Sequence, residues 1–299
     1  MRCGLHHQQF FWAGQQSKGN TVTVVVLGSS GLVGRRLLPQ LHDAGINVRS
    51  AGRSGRDVFF DWMAPDSFKL SLSGANSLYL VPPAMVASPG LLVERLLEIA
   101  KDIGVRRVVA ISSLGVTFPT EPAGSGRHQF ESVIRESGLD WRILRPSGFM
   151  QNFSEGFMLS AIRYSRVIAS AAGSGKVALV DSGDIASVAV AALTRDDLPG
   201  QTLEITGPEV FNFAEISEMI SAAAGYSITY QPVLEQQMAQ MMEAASIPTD
   251  YAQMLLRDQQ AIREGHAIAV RATVEKVTGH APKGFRQFAR ENAKAWQTG

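Results

Sequence analysis

The stretch from Thr21 to Leu41, TVTVVVLGSSGLVGRRLLPQL, constrains the fold more than any other. The β-branched run from Thr21 to Val26 favours a strand buried on both faces. Gly28, Gly31 and Gly34 then follow at three-residue spacing, and Leu32, Leu37, Leu38 and Leu41 take up a helical period. Strand, glycine turn and helix in this order suit a dinucleotide pyrophosphate. The turn needs a residue without Cβ, the backbone must come close to the phosphates, and the helix must pack tightly on its strand. The helix start adds unpaired N–H groups and partial positive charge. Gly28, Ser29, Ser30, Gly31, Leu32, Val33 and Gly34 are therefore read as a phosphate loop; the alternative is a purely structural turn. Pro39 removes an internal hydrogen bond and predicts a kink, well past the phosphate end of the helix.

The rest of the chain continues the rhythm. Apolar runs at 22–27, 46–51, 57–60, 77–81, 106–112, 141–144 and 202–206 predict strands, and 31–44, 90–103, 126–137 and 184–194 predict helices. Leu92, Leu96, Ile99 and Ile103 share one helical face, with Gly104 as the stop, and Asp184 is the expected N-cap of the helix that follows it. This alternation predicts an α/β fold: a Rossmann-type, doubly wound parallel sheet with helices on both faces. After residue 210 the alternation stops, and helical patterns at 213–224, 233–246, 249–265 and 285–296 predict a smaller, mainly helical C-terminal substrate lobe. The expected organisation is a flexible extension over 1–20, a cofactor-binding core over 21–150 to which 177–210 return, and a lobe formed by 151–176 and 211–299.

With 299 residues, 45% hydrophobic, a large core is available. Near-balanced charge, 28 basic against 27 acidic residues, gives no reason to expect nucleic acid or an anionic membrane as partner. The single cysteine, Cys3, excludes an intramolecular disulfide and a cysteine-based zinc site, which points to a reducing cytoplasm. No metal is assigned; His6 and His7 lie in the N-terminal extension, either as a weak metal contact or simply as tail. The apolar part of that extension, Phe10 to Ala13, is too short for a secretion signal, and no window reaches the ~18 apolar residues of a membrane span. A monomer or a homodimer is expected.

In NAD-selective folds an acid about 20 residues past the loop binds the ribose 2′-hydroxyl. Here the second strand ends instead in Arg53 and Ser54, with Arg56 nearby. A guanidinium grips a 2′-phosphate and stacks on adenine, so NADPH is expected over NADH. The alternative is that these arginines are solvated loop charges.

The order of VLGSSGLVGRRLL, VFFDWMAPDSF, SLYLVPPA, GVRRVVAISSLGV, ESGLDWRILRPSGFMQNF and VDSGDIASVAVAALT resembles the NmrA-like, atypical branch of the short-chain dehydrogenase/reductase family. The pairing of FDW with YLVPP is similar to its ergot-alkaloid (agroclavine dehydrogenase-like) subgroup, the chain is also similar to the NADPH:quinone reductase subgroup, and the match covers roughly residues 22 to 235. The resemblance implies that Arg53 meets the 2′-phosphate and that Asp61 and Trp62 flank the adenine. It also implies that Val81, Pro82 and Pro83 lie by the nicotinamide ribose, and that Pro146, Ser147 and Phe149 line the nicotinamide face. Read without it, Asp61-Trp62 is a strand-end turn with a packing indole, and Val81-Pro82-Pro83 terminates a strand.

The family's catalytic Tyr-x-x-x-Lys pair is missing: no tyrosine, at 79, 164, 226, 230 or 251, has a lysine four residues on. By the resemblance, Ser113 occupies the family's serine position and Arg127 the lysine position, with His128 next to it. Arg127 can anchor a ribose but is a poor proton donor. His128 is either a general acid or a surface residue, and Ser113 either orients the acceptor or is a satisfied strand-end hydroxyl. Without a positioned acid, hydride transfer suits acceptors whose developing charge vanishes or delocalises. The chain is therefore read as an NADPH-dependent reductase of a quinone, iminium or enone. The alternatives are a non-catalytic NADP(H) redox sensor, which alone would need a protein partner, and a cofactor-independent cyclase or isomerase. Phe149, Asn152, Phe153 and Phe157, with Met158, Met238, Met241 and Met242, suit a bulky, apolar, polycyclic substrate, or else form the core of the lobe.

Overall fold

The computed structural model describes residues 23–54, 57–198 and 200–297. Strand β1 (Thr23–Leu27) runs through the glycine turn into α1 (Gly34–Asp43), which continues through Pro39. Then come β2 (Asn47–Gly52), β3 (Val58–Phe59), α2 (Asp66–Leu72), β4 (Ser77–Leu80), α3 (Gly90–Asp102), β5 (Arg107–Ile111), α4 (Gly126–Glu136) and β6 (Asp140–Pro146). The chain leaves the sheet, forms β7 (Val167–Ser170) and β8 (Lys176–Val177), and returns through α5 (Ser182–Thr194) to β9 (Gln201–Ile205). All seven sheet strands are parallel, in the order β3-β2-β1-β4-β5-β6-β9. This is the Rossmann-type doubly wound sheet that the alternation predicts.

Both faces of the sheet are covered, because successive residues of a strand point to opposite sides. Val25 and Leu27 of β1 join Phe68, Leu72, Val93, Leu96, Leu97, Phe130 and Ile134 from α2, α3 and α4. Val24 and Val26 join Leu37 and Leu41 of α1 and Ile185, Ala186, Val188, Ala189 and Ala192 of α5. Those four β1 residues are buried, and each contributes about 1.5–3 kcal/mol of transfer free energy. Gly104, at φ +94°, closes α3 as the sequence suggests. At α5 the sequence expectation is corrected: Asp181, not Asp184, is the N-cap, accepting from the Gly183 N–H at 2.7 Å. Asp184 sits inside the first turn and accepts from the Lys283 N–H at 2.7 Å; burial pushes its carboxyl up, with that hydrogen bond opposing.

The remaining chain adds β10 (Phe211–Asn212), α6 (Phe213–Ala224), β11 (Thr229–Pro232), α7 (Glu235–Ala244), α8 (Thr249–Arg263), α9 (Thr273–Thr278), α10 (Phe285–Glu291) and α11 (Ala293–Trp296). Helix α6 starts with a capping box, Asn212 accepting from the Glu215 N–H and Glu215 from the Asn212 N–H, both at 2.8 Å. Helix is not the whole of this lobe: β10 pairs antiparallel with β8, and β11 pairs parallel with β7. Its core holds Phe153, Phe213, Phe285, Phe288 and Trp296. Helix α9 leaves the lobe and packs Val274 against the sheet-side core beside α5. No helix among the described residues is long and apolar enough to cross a membrane. His6, His7, Cys3 and the rest of the N-terminal extension lie outside the described residues, as do Thr21 and Val22.

Candidate active site

The glycine turn sits at the C-terminal end of β1, next to the end of β4. Gly28 turns the chain at φ +63°, a conformation that costs an L-residue about 1 kcal/mol or more. A Cβ there would lie 3.1 Å from Val81 Cγ2, so the turn and the Val81-Pro82-Pro83 segment are in contact. The Gly31 N–H donates to the Gly28 carbonyl at 2.9 Å. Gly28, Ser30 and Gly31 are exposed, while Ser29, Val33 and Gly34 are buried and Leu32 is half-buried. The helix starts at Gly34, three residues later than the sequence pattern suggests. A Cβ on Gly34 would fall 2.3 Å from the Gly28 carbonyl oxygen, which shows how closely helix and turn approach. The buried Ser29 hydroxyl has no hydrogen-bond partner among the described residues. Arg36 secures the turn by donating to the Leu32 carbonyl at 2.8 Å, and Arg35 and Arg36 both pair with Glu155. The Arg35 and Arg36 N–H groups at the helix start already bond to the Gly31 and Val33 carbonyls, at 3.2 and 2.9 Å, so what fits a pyrophosphate here is the exposed glycine face and the unpartnered buried Ser29 hydroxyl.

At the far end of β2, Arg53 and Ser54 are exposed, and Arg53 makes no ion pair or side-chain hydrogen bond among the described residues. Arg56 lies outside those residues. The nearest acid, Asp57, is turned back onto β2, accepting from the Ser50 N–H and hydroxyl at 2.7 and 2.8 Å. Asp61 and Trp62 are half-buried. Asp61 accepts from the Met63 N–H at 3.0 Å, and the Trp62 indole packs edge-on against Phe60 and Phe68, at 5.1 and 5.7 Å between ring centroids. The indole thus has a packing role whatever else it meets.

The ends of β5 and β6 follow the end of β4 along the same edge of the sheet. The Ser113 hydroxyl accepts from the Gly115 N–H at 3.1 Å, capping a short turn over Leu114–Thr117. Ser112 beside it donates to Glu131, a buried carboxylate that also binds Arg135 and Arg145. Pro146 ends β6, and Phe149 bridges to Val180. Ser147 is buried, and its hydroxyl is committed to the Ala178 carbonyl.

Arg127 is also committed. Its guanidinium, 10% exposed, makes a bidentate pair with Asp258 of α8 at 2.7 and 2.5 Å and reaches Glu121 at 3.4 Å. Burial lowers the guanidinium pKa, but the Asp258 hydrogen bonds and the charges of Asp258 and Glu121 outweigh it and hold the value above normal. In this arrangement Arg127 ties α4 to the lobe through both terminal guanidinium nitrogens. His128 Nδ1 lies 3.1 Å from the Ser125 hydroxyl, which donates to Glu121 at 2.6 Å. With that proton spent on Glu121, the Ser125 oxygen accepts from Nδ1–H. Glu121, Ser125 and Asp258 escaped the sequence reading. Asp258 lies 131 residues from Arg127, and no spacing links the two.

The apolar residues separate into two groups. Phe153 is buried in the lobe core against Phe213 and Phe285, and its carbonyl accepts from the Trp296 indole at 2.8 Å; it lines no cleft. Met238 and Met242 are likewise buried, in a cluster with Ala171 and Ala252, and Met158 packs on the lobe core. Phe157 and Met241 stand exposed, and Asn152 is half-buried at the end of a short turn. A cavity of about 340 Å³ opens between Ala87 and Ser88 after β4, the segment before α4, and Asp250, Gln253 and Met254 of α8. A polar cavity of about 620 Å³ lies elsewhere, between α1 and the start of α5. No group of three or more potential metal-ligating side chains occurs among the described residues.

Residues 28–196 match the family described as NAD(P)H-binding, and the chain belongs to it. Its closer membership is in the NmrA-like, atypical short-chain dehydrogenase/reductase group. An uncharacterised oxidoreductase of Bacillus subtilis is 36% identical over 91% of this chain and 96% of its own length. Festuclavine dehydrogenase of Aspergillus fumigatus is 28% identical over 92% of this chain and 99% of its own length. The crystal structure of an NADPH-dependent quinone oxidoreductase from Escherichia coli, complexed with NADPH, superposes with a TM-score of 0.76 at 20% identity, covering 90% of this chain and 99% of that one; it shares the fold.

Proposed function

We propose that the chain is an NADPH-dependent reductase that transfers hydride to an apolar, electron-poor small molecule: a quinone, an iminium or an enone. The observation that carries this reading is the glycine turn, with Gly28, Ser30 and Gly31 open to solvent at the start of α1 and against Val81. The oxidoreductase and dehydrogenase names of its relatives favour redox chemistry over a cyclase. Residues 28–34 would hold the pyrophosphate, and the exposed Arg53 and Ser54 the 2′-phosphate, there being no free acid at the end of β2. Asp61 and Trp62 would border the adenine. Val81, Pro82, Pro83, Pro146 and Phe149 would exclude water from the nicotinamide side, with Ser113 at its edge. Bound NADPH supplies the hydride. The protein's part is to orient donor and acceptor and to keep them dry, which suffices for an acceptor that delocalises its new charge.

The test uses stereospecifically deuterated NADPH with a panel of quinones, cyclic iminium ions and enones. Deuterium is expected in the reduced product. Saturable NADP(H) binding with no label in any acceptor would favour the sensor reading instead.

A further inference from the structure

Two guanidiniums share one carboxylate beside the phosphate turn. Arg35 and Arg36, adjacent on the first turn of α1, both pair with Glu155, whose side chain is 22% exposed. Arg36 has a second anchor, donating to the Leu32 carbonyl at 2.8 Å. Burial and the neighbouring Arg35 charge lower its pKa, with Asp181 opposing, so the two cations crowd each other. Arg35, at 45% side-chain exposure, has no side-chain partner but Glu155 among the described residues. Its N–H donates to the Gly31 carbonyl at 3.2 Å, which sets it one helical turn, about 5.4 Å, past the exposed glycine of the loop. Helical side chains lean towards the N-terminus, so Gly31 is within reach of this guanidinium.

Glu155 belongs to the chain that leaves β6. Gln151 fixes the start of that chain, donating to Asp181 at 2.7 Å and accepting from the Ser182 N–H at 2.8 Å. Phe153 and Ile162 are buried in the lobe core. The arc between them carries the exposed Phe157, and Glu155 is its side-chain tie to α1. Within the arc the Glu155 and Gly156 N–H groups share the Gln151 carbonyl, both at 2.9 Å, and the Met158 N–H donates to the Asn152 carbonyl at 3.2 Å. One ion-pair cluster thus joins the phosphate turn to the segment whose Asn152 and Phe157 are substrate candidates. We propose that this cluster is an exchange switch: a dinucleotide pyrophosphate takes Arg35 from Glu155, and Glu155, left with Arg36 alone, loosens the arc 154–158 so that it admits the acceptor. This rests on reading residues 28–34 as the phosphate site. The charge of a pyrophosphate repels the carboxylate beside it, and its many oxygens make it the better partner for a planar guanidinium. The consequence is an order of binding, with cofactor first and acceptor second.

The experiment compares the unmutated protein with Arg35→Gln and Glu155→Gln, each lacking one charge of the cluster. NADPH, inorganic pyrophosphate and 2′-AMP are titrated by calorimetry. Arg35→Gln should weaken NADPH and pyrophosphate about tenfold and leave 2′-AMP within about twofold, since the 2′-phosphate is assigned to Arg53. Glu155→Gln should tighten NADPH and pyrophosphate by about fivefold, because the competing carboxylate is gone. A carboxylate that merely braced the turn would weaken both when removed. Hydrogen exchange followed by mass spectrometry reads the arc. NADP⁺ should speed exchange over residues 154–158 in the unmutated protein, and Glu155→Gln should show the fast rate without cofactor; a ligand that only stiffened its surroundings would slow it. If the unmutated protein binds NADPH but Glu155→Gln binds it no more tightly, or if NADP⁺ slows exchange over the arc, the switch is refuted and the phosphate-site reading stands. If the unmutated protein binds neither NADPH nor pyrophosphate, that reading fails and the switch fails with it.

Discussion

Two glycines of the turn should fail in different ways when substituted. In Gly34→Ala the new Cβ meets three backbone atoms: the Gly28 oxygen at 2.3 Å, Ser29 Cα at 2.7 Å and the Gly28 carbonyl carbon at 2.9 Å. None can rotate away, so helix and turn must separate by about 1 Å. Overpacking of this kind costs ~1–3 kcal/mol, and rigid backbone neighbours put this case at the upper end. Replacing glycine by alanine in a helix returns at most about 1 kcal/mol. The net loss is therefore about 2 kcal/mol, and the displaced turn should bind NADPH poorly too. At Gly31 a Cβ meets only the Gly28 oxygen, at 3.1 Å, and the position is exposed. Gly31→Val should cost less than Gly34→Ala, about 1 kcal/mol for the single tight contact, yet place its methyl groups where the phosphates would lie. Urea unfolding followed by tryptophan fluorescence reads the stability, and NADPH fluorescence titration reads the binding. Gly34→Ala unfolding at the original midpoint would refute the packing argument. Gly31→Val binding NADPH with unchanged affinity would show that this loop is not the phosphate site.

Arg53→Ala should weaken NADPH binding by about 1–3 kcal/mol and leave NADH unchanged, as titration of both cofactors would reveal; equal losses would remove the 2′-phosphate assignment. Arg127→Met strands the Asp258 and Glu121 carboxylates and should cost about 3 kcal/mol in urea unfolding, with part regained in Arg127→Met/Asp258→Leu; a loss below ~1 kcal/mol would mean that the pair behaves as an exposed one. Glu131 is opposed by its burial, but its bonds from Arg145, Ser112 and Arg135 prevail and hold its carboxyl below the usual 4.5. Because the native value is depressed, its stabilisation is complete at neutral pH and fades as the pH falls below 4.5 towards the native value. Glu131→Gln should therefore be less stable at pH 7 and lose less on acidification, which parallel unfolding curves would test.

What could be read from the sequence is what local physics controls. Val24 to Leu27, the glycine spacing and the Leu92–Ile103 stripe each declare their element within a few residues, and the parallel sheet follows from their alternation. The lobe strands β7, β8, β10 and β11 are two to four residues long and pair across long separations, so no periodicity marks them. Asp181 and Asp184 are both acids at a helix start, and only the extended backbone of Asp181 selects it as the cap. Phe153 and Phe157 look alike in sequence, yet one is core and the other surface, a difference made by contacts with Phe213 and Phe285, far along the chain. The Arg127–Asp258 tie is of the same kind: a long-range ion pair has no local signature.

Each small sheet of the lobe joins a strand that precedes α5 to one that follows β9. During synthesis, β7 and β8 leave the ribosome before their partners near residues 211 and 229 exist. Both must wait with open backbone edges while α5 and β9 dock on the sheet. Their shortness keeps those edges from templating association with other chains. Cutting the gene after β9 would make the wait permanent, so the nucleotide-binding half cannot be excised cleanly at that point: it would carry two orphan strands that only the C-terminal half can cover.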